Sequence, residues 1–104
     1  MIDSLEMSKR AMESRQKHND DLVNRILEFL KEGSVYGKML VEASKGHNHL
    51  AYSFNTDSLI SYDYIKKKIL ESDSAVNLMN LGYDLTIDKN EMFDMICVNI
   101  RWNL

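Results

Sequence analysis

The chain has 104 residues, 44% hydrophobic and 28% charged, with a formal net charge of −3 and one cysteine. That length makes a single domain, 1–104, which can bury about two-thirds of the surface of its unfolded chain without disulfides or a structural metal. The lone Cys97 excludes a disulfide framework and fits a reducing compartment. Thirteen bases against sixteen acids set the chain apart from strongly basic nucleic-acid binders.

No apolar run reaches membrane-spanning length, and the mixed charges from Asp3 to Arg15 are unlike a signal peptide. A cytoplasmic protein with no membrane association is expected. Residues 73–104 carry five acids and two bases, an asymmetry that suits a basic partner surface.

Asp3, followed by Glu6, reads as the start of a long helix over 1–32. Its apolar positions are sparse early (Leu5, Met12) and dense late (Leu22, Val23, Ile26, Leu27, Phe29, Leu30). Only the second half therefore carries a core-facing stripe; the polar first half projects into solvent, docks on a neighbour or breaks near Asn19 and Asp20, with one long helix the expectation. Gly33 to Gly37 is expected to break that helix, with a short second one through Met39, Leu40 and Ala43 ending at a left-handed Gly46. His49 to Phe54 alternates as a first strand, closed by Asn55 to Ser58.

Tyr62, Ile65 and Ile69 share a helical face, and Ser72 to Ser74 separates them from a second helical run of Ala75, Val76, Leu78, Met79 and Leu81 before Gly82. Tyr83 to Asp88 alternates as a strand, Lys89–Asn90 make the turn, and Met92 to Trp102 forms the last strand. That last strand is apolar on both faces, with Ile96, Val98, Ile100 and Trp102 on one and Phe93, Met95 and Cys97 on the other. It belongs in the centre. The expected fold is α+β: N-terminal helices and a three-stranded mixed sheet of order 1-3-2, with a right-handed helical crossover over 57–81 and a C-terminal hairpin. An uncovered second face would make an interface and an oligomer.

The chemistry-bearing residues do not assemble into a catalytic or cofactor motif. His47 and His49 lack further ligands for a metal. Cys97 lies among apolar strand residues that suppress thiol reactivity, and the four glycines form no phosphate cradle. Asp84, Asp88, Glu91 and Asp94 lack the glycine and terminal glutamate of a calcium loop. Neither metal nor cofactor is expected. Lys66, Lys67 and Lys68, with Tyr62 and Tyr64, are the best candidates for holding a single strand, since tyrosine stacking and lysine–phosphate pairing is how such strands are bound. On a helix, however, three successive lysines fan around the solvated side.

In Gly46, Leu50 to Phe54, Ile65 to Leu70, Gly82-Tyr83, Ile87 and the terminal Ile100-Arg101-Trp102, the chain resembles small proteins encoded by tailed bacteriophages. The likeness covers residues 38–103 and consists of element order and composition. It implies a phage origin, and with it a host-takeover or anti-defence protein that binds a host or phage protein. The expectation is a non-enzymatic modulator, self-associating as a small oligomer. Its expected contacts are the projecting helix (Met7, Met12, Arg15), the acidic hairpin tip (Asp88, Glu91) and the second sheet face (Phe93, Met95). Single-stranded nucleic-acid binding through the lysine run is the alternative.

Overall fold

The structure, a computed structural model, describes residues 3–56 and 60–102. It is an α+β fold of four helices and one three-stranded sheet. Helix α1 (Ser4–Leu30) starts where the sequence places it, with the Asp3 carboxylate accepting from the Glu6 N–H at 2.8 Å. This N-cap satisfies one of the helix's free donors and puts negative charge at its positive end. Helix α2 (Glu32–Ser44) follows after a kink at Lys31, whose ψ of 140° is extended. The expected break across Gly33 to Gly37 does not occur. Both glycines lie inside α2, where the burial of Val35 and Met39 outweighs a helix-propensity cost of about 1 kcal/mol per glycine.

Gly46 has φ +85°, as expected. The N–H of Gly46 donates to Ala43 and that of His47 to Glu42, the paired bonds of a Schellman cap. Strand β1 (His49–Asn55) follows. Of the turn expected over Asn55 to Ser58, Asp57 and Ser58 lie outside the described residues, as does part of the crossover. Helices α3 (Tyr62–Leu70) and α4 (Asp73–Asn80) are separate, with Ser72 capping α4 by accepting from the Ala75 N–H. Gly82, φ +97°, ends α4 in a second Schellman cap, in which Gly82 donates to Met79 and Tyr83 to Leu78.

Strands β2 (Asp84–Asn90) and β3 (Met95–Arg101) form the hairpin. The turn expected at Lys89–Asn90 lies further on, at 91–94. Asn90 pairs with Met95 and extends the ladder, while the Asn90 side chain accepts from the Met92 N–H. Asp94 adopts φ 47°, a left-handed conformation that aspartate tolerates better than most residues. Thr56 secures the loop, its N–H and its hydroxyl both donating to the Asp94 carbonyl at 2.8 and 2.7 Å.

The sheet order is β1-β3-β2, as expected, but both pairings are antiparallel. The sheet is thus antiparallel rather than mixed, because the parallel outer strands are separated by β3 and share no ladder. On the helix side, Ile96, Val98 and Ile100 are fully buried and join Ile26, Leu30, Val35, Ile65, Ile69 and Ile87 in one core. Trp102 meets Tyr83 edge-on at 6.5 Å, and Tyr83 meets Tyr36 likewise.

The second half of α1 lies in this core, while residues 4–17 are exposed throughout. The radius of gyration, 16.4 Å, and a longest dimension of 61 Å exceed the ~13 Å radius of a compact chain of this length. Asn19 marks the transition. It is the one buried polar residue among those described, and its Oδ1 accepts from the Ser61 N–H at 2.8 Å, at the N-cap of α3. Asn19→Leu strands that donor and is expected to cost about 1–3 kcal/mol, lowering the thermal midpoint by several degrees. A chain beginning at Arg15 should stay within about 3 °C of the full chain, a comparison that scanning calorimetry makes directly.

Candidate functional site

Helix periodicity determines what the projecting part of α1 displays. Leu5, Met12, Asn19 and Ile26 are spaced by seven, two turns each, and so occupy one stripe. Asn19 and Ile26 are buried in the body, whereas Leu5 and Met12 are 79% and 69% exposed. The stripe that builds the core therefore continues past the body with apolar residues and nothing against it among those described. Met7 lies about 200° around the helix from Leu5, so it does not share this stripe. Arg15 is exposed near the base of the arm. Leu5, read from the sequence as an apolar helix position, was not among the expected contacts, although its seven-residue spacing to Met12 and on to Ile26 places it in the same stripe.

At its base the arm is tied to α3. Gln16 Nε2 donates to Asp20 Oδ1 and to the Tyr64 hydroxyl, both at 3.0 Å, and that hydroxyl donates to Asp20 at 2.9 Å. The other candidate tyrosine, Tyr62, donates its hydroxyl to the Ile87 carbonyl on the outer edge of β2. Both rings are half-buried, and Lys66 and Lys68 lie 5.8 and 5.7 Å from the centroids of Tyr62 and Tyr64. Lys66, Lys67 and Lys68 are exposed, but their neighbouring tyrosines serve the fold.

The acidic residues do not gather at the hairpin tip. Asp88 lies within β2 and accepts from Asn99 Nδ2 at 2.9 Å, while Glu91 is in the loop beside Met92 and Phe93, which are 84% and 65% exposed. Phe93 is thus a loop residue and not part of a sheet face. The second face holds half-buried Met95 and Cys97 among Ala51, Ser53, Thr86, Asp88 and Asn99. It is a largely polar surface, because the outer strands place small or polar residues at every outward position. Cys97 is free, and its sulfur lies 3.2 Å from the Ser53 hydroxyl.

Two recesses flank α2. One, about 470 Å³, lies between the α1–α2 corner and α4 and is lined by Leu30, Val35, Tyr36, Asn77 and Leu81, with Lys31 at its rim. The other, about 610 Å³, opens beside β1. Its aromatic wall is a stacked Phe29–Tyr52 pair, 4.6 Å between centroids, with Phe54 edge-on to Phe29. Arg25 lies 5.9 Å from the Phe54 centroid, and Lys38 the same distance from that of Tyr52. These residues come from α1, α2 and β1, which is why sequence spacing did not unite them.

Among the described residues no three histidine, cysteine or acidic side chains cluster as metal ligands, and no helix is long and apolar enough to cross a membrane. His47 and His49 have their rings 6.3 Å apart, and His47 Nδ1 lies 2.6 Å from Glu42 Oε2. The fold and these surfaces define an α+β chain with an antiparallel 1-3-2 sheet and a protruding apolar-striped helix. No protein-family model, curated protein or solved structure matches it.

The hydrogen bond from His47, assisted by the positive charge of Lys45, holds the Glu42 carboxyl below its usual range. A lowered carboxylate pKa contributes stability above the ordinary value that is lost as pH falls through the folded-state value. Followed by carbon NMR, the Glu42 titration should move upward in His47→Ala.

Proposed function

We propose that this chain is a small non-enzymatic protein that acts by binding another protein through the exposed stripe of α1. The observation that carries this reading is the continuation of a core-forming stripe into solvent. A free helix of this kind buries apolar surface only when a partner supplies the other side, in the manner of a helix laid in a groove or paired with a second helix. Leu5 and Met12 are the anchors, and Met7 and Arg15 flank them. The mechanism is steric: the arm docks and the body covers whatever lies beside the docking site.

On its resemblance in element order and composition to small tailed-phage proteins, we read the chain as a modulator of a host or phage protein, working in the host cytoplasm. The experiment is capture from bacterial lysate by the tagged full chain, with and without nuclease, beside a Leu5→Asp/Met12→Asp variant. A stoichiometric protein retained after nuclease and lost in the variant is the expected result. Capture unaffected by the variant would remove the arm from the interface. Capture abolished by nuclease would favour the lysine run of α3 as a nucleic-acid contact.

A further inference from the structure

The two edges of the sheet differ in a way that points to a second interaction surface, independent of what the arm binds. In the β1–β3 pairing, Trp102 donates to the Asn48 carbonyl and Thr56 to that of Asp94. These bonds share the register of the whole ladder, so the even-numbered residues of β1 turn their main-chain groups toward β3. The odd-numbered residues, His49, Ala51, Ser53 and Asn55, turn theirs outward. All four are exposed.

The same parity on the other side directs the main-chain groups of Leu85, Ile87 and Lys89 outward from β2. That edge is defended: the Tyr62 hydroxyl occupies the Ile87 carbonyl, and Asp84, Asp88 and Lys89 carry charge, whereas a helix flanks each edge strand alike, α4 beside β2 and α2 beside β1. Strand β1, His-Leu-Ala-Tyr-Ser-Phe-Asn, has neither a proline nor a Lys, Arg, Asp or Glu, and pairs with β3 in unbroken register. Proline, charge and a bulge, three of the usual devices that keep a strand edge from pairing, are missing from it.

We infer that β1 pairs antiparallel with β1 of a second copy of this chain, about a two-fold axis at Tyr52, to make a continuous six-stranded sheet. Tyr52 is the midpoint of the strand, and centring the axis there brings outward-facing residues opposite outward-facing residues: Ala51 opposite Ser53 and His49 opposite Asn55. Roughly eight main-chain hydrogen bonds form across such a seam. Every facing pair is small or uncharged, so the register opposes no like charges. A peptide strand of other sequence could use the same donors, but this self-complementarity selects a second copy.

The side chains on the helix side fit the same arrangement. Tyr52 is 42% exposed although it stacks on Phe29, and at the axis it meets its own copy in a non-hydrogen-bonded pair, where cross-strand side chains approach most closely. The recess beside it leaves room for the partner's ring. Ser34 and Lys38 of α2 line that recess, and one turn on, Val41 is 54% exposed, extending the surface a second copy would cover. Of the charged side chains there, Lys38 lies 5.9 Å from the Tyr52 centroid, while Arg25 and Glu28 come from α1 and Glu28 is paired with Lys31 at 2.7 Å.

The test reads mass and register. Light scattering on the full chain at about 0.1 mM, a concentration that saturates a micromolar complex, should give twice 12.1 kDa. Ala51→Lys and Ser53→Pro, which alter the outward edge and leave the β3 ladder its donors, should each give a monomer with an unchanged circular dichroism spectrum. In a Cys97→Ser background, Tyr52→Cys should form an intermolecular disulfide, because facing Cα atoms of such a pair lie about 4.5 Å apart, within bonding range. Ser53→Cys should do so at least tenfold more slowly. A monomeric wild type overturns the inference, as does a dimer that survives both edge variants or a disulfide that forms equally at both positions.

Discussion

The dry face of β3 is the constraint on which the molecule depends. Ile96, Val98 and Ile100 are fully buried, and both sides of this strand are hydrogen-bonded, to β1 and to β2. A strand in that position cannot shift by one residue without moving all three isoleucine and valine side chains to the polar face and Cys97 and Asn99 into the core. Its register therefore fixes that of both neighbours. The helices follow, since each of the four contributes buried apolar residues to the one core to which these three side chains belong.

That requirement is satisfied by only half of α1. The core needs Leu22, Val23, Ile26, Phe29 and Leu30, yet the helix begins at Ser4. A helix of 27 residues is about 40 Å long, more than the body can cover. Main-chain hydrogen bonding and the Asp3 cap carry it through the polar stretch, and Asn19 closes the body at the point of exit by accepting from Ser61. The Gln16–Tyr64–Asp20 cluster then fixes the direction in which the arm leaves. Such an arm is held at its base and is free at the residues that carry its apolar stripe, which keeps a docking surface exposed without loosening the core.

The parts of the fold legible in the sequence were those set by local periodicity and by residues with one conformational role. Apolar residues on both sides of the last strand pointed to its central place, Asp3 to the helix start and Gly46 to the left-handed cap, because each is read from residues close in sequence. The second side nevertheless proves largely polar, with Phe93 in the loop. The misread features depend on contacts distant in sequence. Gly33 and Gly37 suggest a break until Val35 and Met39 are seen to be buried. Lys89–Asn90 suggests a turn until the ladder to Met95 and the clamp from Thr56 are in place. The candidate sites divide the same way: the exposed arm could be read from sparse apolar residues, whereas the Tyr62 and Tyr64 hydroxyl partners, Ile87 and Asp20, lie 25 and 44 residues away. The recess of Arg25, Lys38 and Tyr52 unites three elements with no motif in common.

A three-stranded sheet has two edges and only one central strand, so most of its strand residues border an edge. In this chain the crossover through α3 and α4 returns along β2, and that single topological fact distributes protection unequally. Tyr62, at the start of α3, reaches the Ile87 carbonyl, and α4 packs beside the same strand. The route leaves β1 with α2 beside it but with no side-chain hydroxyl on its outward carbonyls among the bonds described. Charge follows the same division, since β2 also carries Asp84, Asp88 and Lys89, and β1 carries no Lys, Arg, Asp or Glu. Were bare edges merely a cost of small size, charge would be expected on the strand whose outward carbonyls are open, where it discourages pairing most. The opposite distribution is the ground on which we infer self-pairing through β1.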